Sequence, residues 1–64
     1  MINQNDKQLI DRYVKMCARS RMTLEDMGRA VGRTKAWASA VVNRKTTRLQ
    51  FATRNRILEY MGEL

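Results

Sequence analysis

The chain has 64 residues, with 13 lysines and arginines against 6 aspartates and glutamates, no histidine, one cysteine and no proline, for a net charge of +7. That length allows one domain, spanning residues 1–64, which buries only about 60% of its unfolded surface, so its core is small. One cysteine (Cys17) and no histidine rule out a disulfide framework and a Cys/His zinc site within the chain, and no apolar run approaches the ~20 residues that cross a bilayer.

Met1 to Asn5 is neither a signal nor a transit peptide, which predicts a soluble, cytoplasmic protein with a frayed end over residues 1–4. Asn5 is placed to cap a first helix, with Gln8 reaching back to it. Leu9, Ile10, Tyr13, Val14 and Cys17 follow as an apolar stripe with Met16 at its edge. Asp11, Arg12, Lys15 and Arg19 form the opposite face. Cys17 reads as a small buried hydrophobe rather than a redox thiol. Ser20, Arg21 and Met22 connect to the next helix, and Met22 is placed to staple against its first turns.

Thr23 to Lys45, TLEDMGRAVGRTKAWASAVVNRK, is the centre of the chain. Thr23 with Asp26 predicts a capped helix start, and Leu24, Met27 and Val31 recur at helical spacing. Gly32 supplies positive φ at the helix end, and Thr34 caps a second helix from Lys35 to about Asn43. The inner face of that helix is expected to hold Ala38 and Val41, with Val42 as an optional member. Gly28 and Ala38 are short enough for two crossing helices to approach closely. A helix, a glycine turn and a second helix rich in small and polar residues is the helix-turn-helix pattern.

Beyond Asn43, Arg44-Lys45-Thr46-Thr47-Arg48 loses its apolar period and reads as a basic loop, pinned to the core by Leu49 and Phe51. Thr53 or Thr47 would cap a last helix carrying Ile57, Leu58 and Met61, with Tyr60 beside them, and Gly62 would stop it. No segment alternates with period two between turn signals. The expected fold is all-α, a bundle of four helices, or five if Leu49–Ala52 forms its own turn.

The residues of the central stretch resemble the helix-turn-helix of the phage Cro and lambda-type repressor family, whose members often read TLEELAEKLGVSKSWISRI. The matching positions are Thr23, Leu24, Glu25, Asp26, Met27, Gly28, Gly32, Thr34, Lys35, Trp37, Ser39 and Val41. The resemblance covers the middle third well and the last third loosely. Arg33, Ala38 and Ala40 depart from the family pattern, which has an apolar turn residue, a larger Val or Ile and a polar side chain there. The resemblance implies a Cro-like transcriptional regulator in a bacterial cell, bound to double-stranded DNA as a homodimer.

The charge pattern points the same way. From Arg29 to Arg56 there are eight cations and no carboxylate, the footprint of a polyanion site. The second helix would enter the major groove N-terminus first. Base readout is therefore expected from Arg33, Thr34, Lys35, Ala36, Trp37, Ser39 and Ala40, chiefly Lys35 and Ser39, with thymine methyls met by Ala36 and Ala40. Trp37 lies between the core line and the exposed line of this helix, and the family position favours the DNA face. Thr23, Asn43, Arg44, Lys45 and Arg48 would grip phosphates. Phe51, Tyr60, Met61 and Leu64 offer apolar surface for a dimer. No cofactor, metal, membrane or small-molecule ligand is expected. The competing functions are an excisionase-like architectural factor and an antitoxin-type protein-interaction module. A cationic membrane-active helix fits poorly, and catalysis lacks the titratable groups it would need.

Overall fold

A computed structural model describes residues 5–63. The expected frayed end (residues 1–4) and Leu64 lie outside the described residues. Four helices form among them and no strand: α1 (Asp6–Arg19), α2 (Leu24–Ala30), α3 (Lys35–Val42) and α4 (Phe51–Tyr60). No described helix is long and apolar enough to cross a membrane.

Local chemistry sets the first three starts. The Asn5 side chain accepts from the Gln8 amide at 2.8 Å, and this forward half of the predicted box is the half that forms. At α2 both halves form: the Asp26 amide donates to Thr23 Oγ1 (3.1 Å) and the Thr23 amide to Asp26 Oδ2 (3.3 Å). Thr34 caps α3 by accepting from the Trp37 amide at 3.2 Å. Such caps contribute about 1 kcal/mol each, which matters for helices of seven and eight residues.

The ends share one device. After each helix the backbone turns left-handed, at Arg21 (φ 54°), Gly32 (φ 71°), Arg44 (φ 60°) and Gly62 (φ 74°). Each time the left-handed residue and the one after it donate back into the last turn. For α2 these bonds are Gly32 to Arg29 O and Arg33 to Gly28 O; for α3 they are Arg44 to Val41 O and Lys45 to Ala40 O. These are Schellman motifs, which satisfy carbonyls that a helix end would otherwise strand.

The core cluster joins Leu9, Tyr13 and Cys17 of α1 to Met27, Val31, Ala38 and Ile57, and Ile10 and Val41 are buried as well. Tyr13 is fully buried, and its hydroxyl donates to the Met27 carbonyl at 2.8 Å. Burial pushes both the Tyr13 phenol and the Cys17 thiol above their usual pKa. Met22 and Met16 pack at the edge of this cluster. The start of α3 comes close to α2 where Gly28 has no side chain: a Cβ there would sit 2.4 Å from the Thr34 carbonyl oxygen.

Several expectations for the last third are corrected. Neither Thr53 nor Thr47 caps α4: Gln50 occupies the cap position without a side-chain bond, Thr47 lies in the loop, and Thr53 is buried inside the helix. Thr53 stands four residues before Ile57 and so shares its inward face. Phe51 is then turned outward, 79% exposed, and only Leu49 packs the loop against the core. The optional fifth helix does not form. Val42, the optional inner residue of α3, is 36% exposed.

Candidate nucleic-acid interface

The helical repeat of α3 separates its residues into two faces. Ala38 and Val41 go inward, while Lys35, Ala36 and Asn43 are exposed and Ser39 and Ala40 half-buried. Val42 belongs to the outward group, since it follows Lys35 by seven residues and Ser39 by three. Its optional place on the inner face is not taken up, as the helical phase counted from Lys35 requires.

Trp37 has both a packed and an accessible side. It is half-buried and packs against the core cluster, its ring centroid 6.5 Å from that of Tyr13. One residue before Ala38, it straddles the boundary of the inner face, and the apolar ring follows the buried side.

Two predicted phosphate ligands are engaged within the fold. The Arg44 guanidinium donates to Asp11 Oδ1 (2.7 Å) and to the Val42 carbonyl (3.2 Å), closing the end of α3 instead of standing clear of it. Asn43 donates through Nδ2 to the Ser39 carbonyl at 3.0 Å and lies 3.4 Å from Ser39 Oγ, so these two predicted contact residues are tied together. Thr23 is exposed, and its hydroxyl serves the cap of α2.

The uninterrupted basic window of the sequence is partly neutralised in three dimensions by carboxylates from outside it. Arg29 pairs with Glu25, Arg44 with Asp11 and Arg54 with Asp6. Arg33, Lys35, Lys45, Arg48 and Arg56 have no carboxylate within 4.0 Å among the described residues. Arg33 and Lys35 flank the Thr34 cap at the start of α3, where the helix dipole is also positive. Lys45 and Arg48 stand in the loop after its end. The first pair, with Thr34, Gly32, Glu25 and Arg29, lines an open groove between α2 and α3.

Arg56 was not singled out by sequence. Its guanidinium lies beneath the turn, where Nη1 would be 3.1 Å from a Cβ at Gly32, and Arg33 reaches Gln50 Oε1 at 3.5 Å from the same turn. The α2–α3 turn is thus braced from α4, a contact that no local signal announces. No family model, curated protein or solved structure matches this chain.

Proposed function

We propose that this chain is a sequence-specific double-stranded DNA-binding regulator, Cro- or repressor-like, in which α2, the Gly32 turn and α3 act as a helix-turn-helix. The observation that carries this reading is the outward face of α3. It presents small and hydrogen-bonding side chains, contains no carboxylate, and is flanked at both ends by cations that lack ion-pair partners among the described residues. A helix of this kind fits the major groove, where Lys35 donates to guanine O6 or N7 and Ser39 to either partner. Ala36, Ala40 and the outward Val42 meet thymine methyls. Arg33, Lys45 and Arg48 contact phosphates, with Thr34 at the mouth of the groove.

The longest dimension of the fold, 32 Å, is about one turn of B-DNA, and α3 covers only a few base pairs. Two copies on a pseudo-palindrome, with half-sites about one turn apart, give useful specificity. Phe51 is the apolar anchor for that dimer. Tyr60 is nine residues further along α4, about half a turn round, and its ring already stands edge-on to Tyr13 at 5.9 Å.

Selection from random duplex DNA at moderate salt, with K35A in parallel, tests the reading. An enriched palindrome that K35A loses is the expected result. Binding without an enriched motif would favour an architectural factor that bends DNA, and no binding would shift the reading to a protein-interaction module. With roughly six phosphates neutralised per dimer, affinity falls about a thousandfold between about 50 and 200 mM salt.

A further inference from the structure

The loop between α3 and α4 carries Lys45 and Arg48, and it is tied to α1 at both ends. At its start Arg44 donates to Asp11 Oδ1 at 2.7 Å, while the other oxygen of Asp11 meets Lys15 at 3.0 Å. At its end the Leu49 amide donates to Asp6 Oδ2 at 2.9 Å, and Arg54 Nε to Asp6 Oδ1 at 3.3 Å. Only Lys45, Thr46, Thr47 and Arg48 lie between the two tethers. The Leu49 contact is specific: a part-buried backbone N–H, in a segment without regular structure, finds its acceptor 43 residues earlier in the chain.

We propose that Asp6 and Asp11 are positioning residues for nucleic-acid binding, holding the Lys45–Arg48 loop in the conformation in which it meets the phosphate backbone. The assignment rests on the DNA-binding reading. Physically, a loop anchored at both ends has lost most of its conformational freedom before the ligand arrives, so less entropy opposes each phosphate contact.

The proposal makes a prediction of opposite sign to simple electrostatics. Two carboxylates beneath a polyanion-binding loop repel DNA, so removing either charge should strengthen binding if they do nothing else. Positioning requires that removal weaken it.

The test uses the full chain and a mixed-sequence duplex of about 20 base pairs, long enough for two half-sites. D6N, D11N and E59Q are compared with the wild type, since Glu59 on α4 supplies the same loss of charge on an exposed residue outside the loop. Without DNA, amide exchange in D6N should show loss of protection at Leu49 while the helical amides keep theirs. With DNA, D6N and D11N should bind about fivefold more weakly and E59Q slightly more tightly. The slope of log affinity against log salt should become shallower by about one to two in D6N as the Lys45 and Arg48 contacts are lost. D6E keeps the charge but displaces the acceptor, and it should weaken binding two- to threefold, about 0.4–0.7 kcal/mol; it decides the matter if D6N does not fold. If D6N and D11N bind as tightly as E59Q with an unchanged salt slope, the assignment fails while DNA binding stands. If the wild type binds no duplex, the DNA-binding reading fails and the assignment with it.

Discussion

Two helices of this protein end on glycine and two on arginine, yet all four close with the same left-handed turn. At Gly32 and Gly62 the conformation comes without steric cost, because no Cβ meets the following carbonyl. At Arg21 and Arg44 the same turn costs roughly 1 kcal/mol in backbone strain. Arg44 recovers part of that through its guanidinium, which binds Asp11 and the terminal carbonyls of α3, whereas Arg21 is exposed and has no ion pair among the described residues. The contrast shows that a Schellman end can be set by the glycine itself or by what the rest of the fold does with a less suitable residue.

Glycine replacement separates these cases. Gly32→Ala should cost about 2 kcal/mol in a denaturant titration, because the left-handed strain is joined by a contact with Arg56 at 3.1 Å. Gly62→Ala has nothing within 4 Å of the new methyl and should cost only about 1 kcal/mol. Equal losses would mean that Arg56 moves aside at no cost and does not brace the turn.

At the arginine ends the sign reverses. Arg21→Gly should stabilise by about 0.5–1 kcal/mol, whereas Arg44→Gly should be near neutral, since relief of strain is offset by loss of the Asp11 pair. A gain of similar size at both sites would remove the stabilising role given to that pair.

The smallest effect is pH-dependent. Lys15 above all, with Arg44 adding to it, holds the Asp11 carboxyl below its usual pKa against the opposing effect of desolvation. A carboxylate with a depressed folded pKa contributes stability that is present above its unfolded value, near 4, and is lost as pH falls through the folded value. Acid titration of stability should therefore show a shallower loss below about pH 4 in D11N than in the wild type. Superimposable acid limbs would show that the ion pair adds nothing, as exposed pairs often do.

Most of the helical framework was legible because its signals are local. Thr23 with Asp26, Gly32 and Thr34 each act within four residues, and the stripe from Leu9 to Cys17 follows one helical period. The last third was harder to read because its apolar residues do not name their own phase: Thr53 turned inward with Ile57, and that alone sent Phe51 outward. In the candidate interface, the exposure of Lys35 and Ala36 and the loop over residues 45–48 were legible from helix position and charge. The core contact of Trp37, the exposure of Val42 and the Asp11 partner of Arg44 were not, since each depends on a small rotation of the helix or on one distant residue.

By itself the sequence determined an all-helical chain, three of its helix starts, two of its helix ends and the close approach at Gly28, because capping, φ preference and side-chain volume act over a few residues. Tertiary structure decided that Arg44 and Arg54 of the basic window are neutralised, whereas the Arg29–Glu25 pair is local to one helix. Asp6 and Asp11 reach across from α1 to Arg54, Leu49 and Arg44, and Coulomb attraction and hydrogen bonding depend on separation in space, not along the chain.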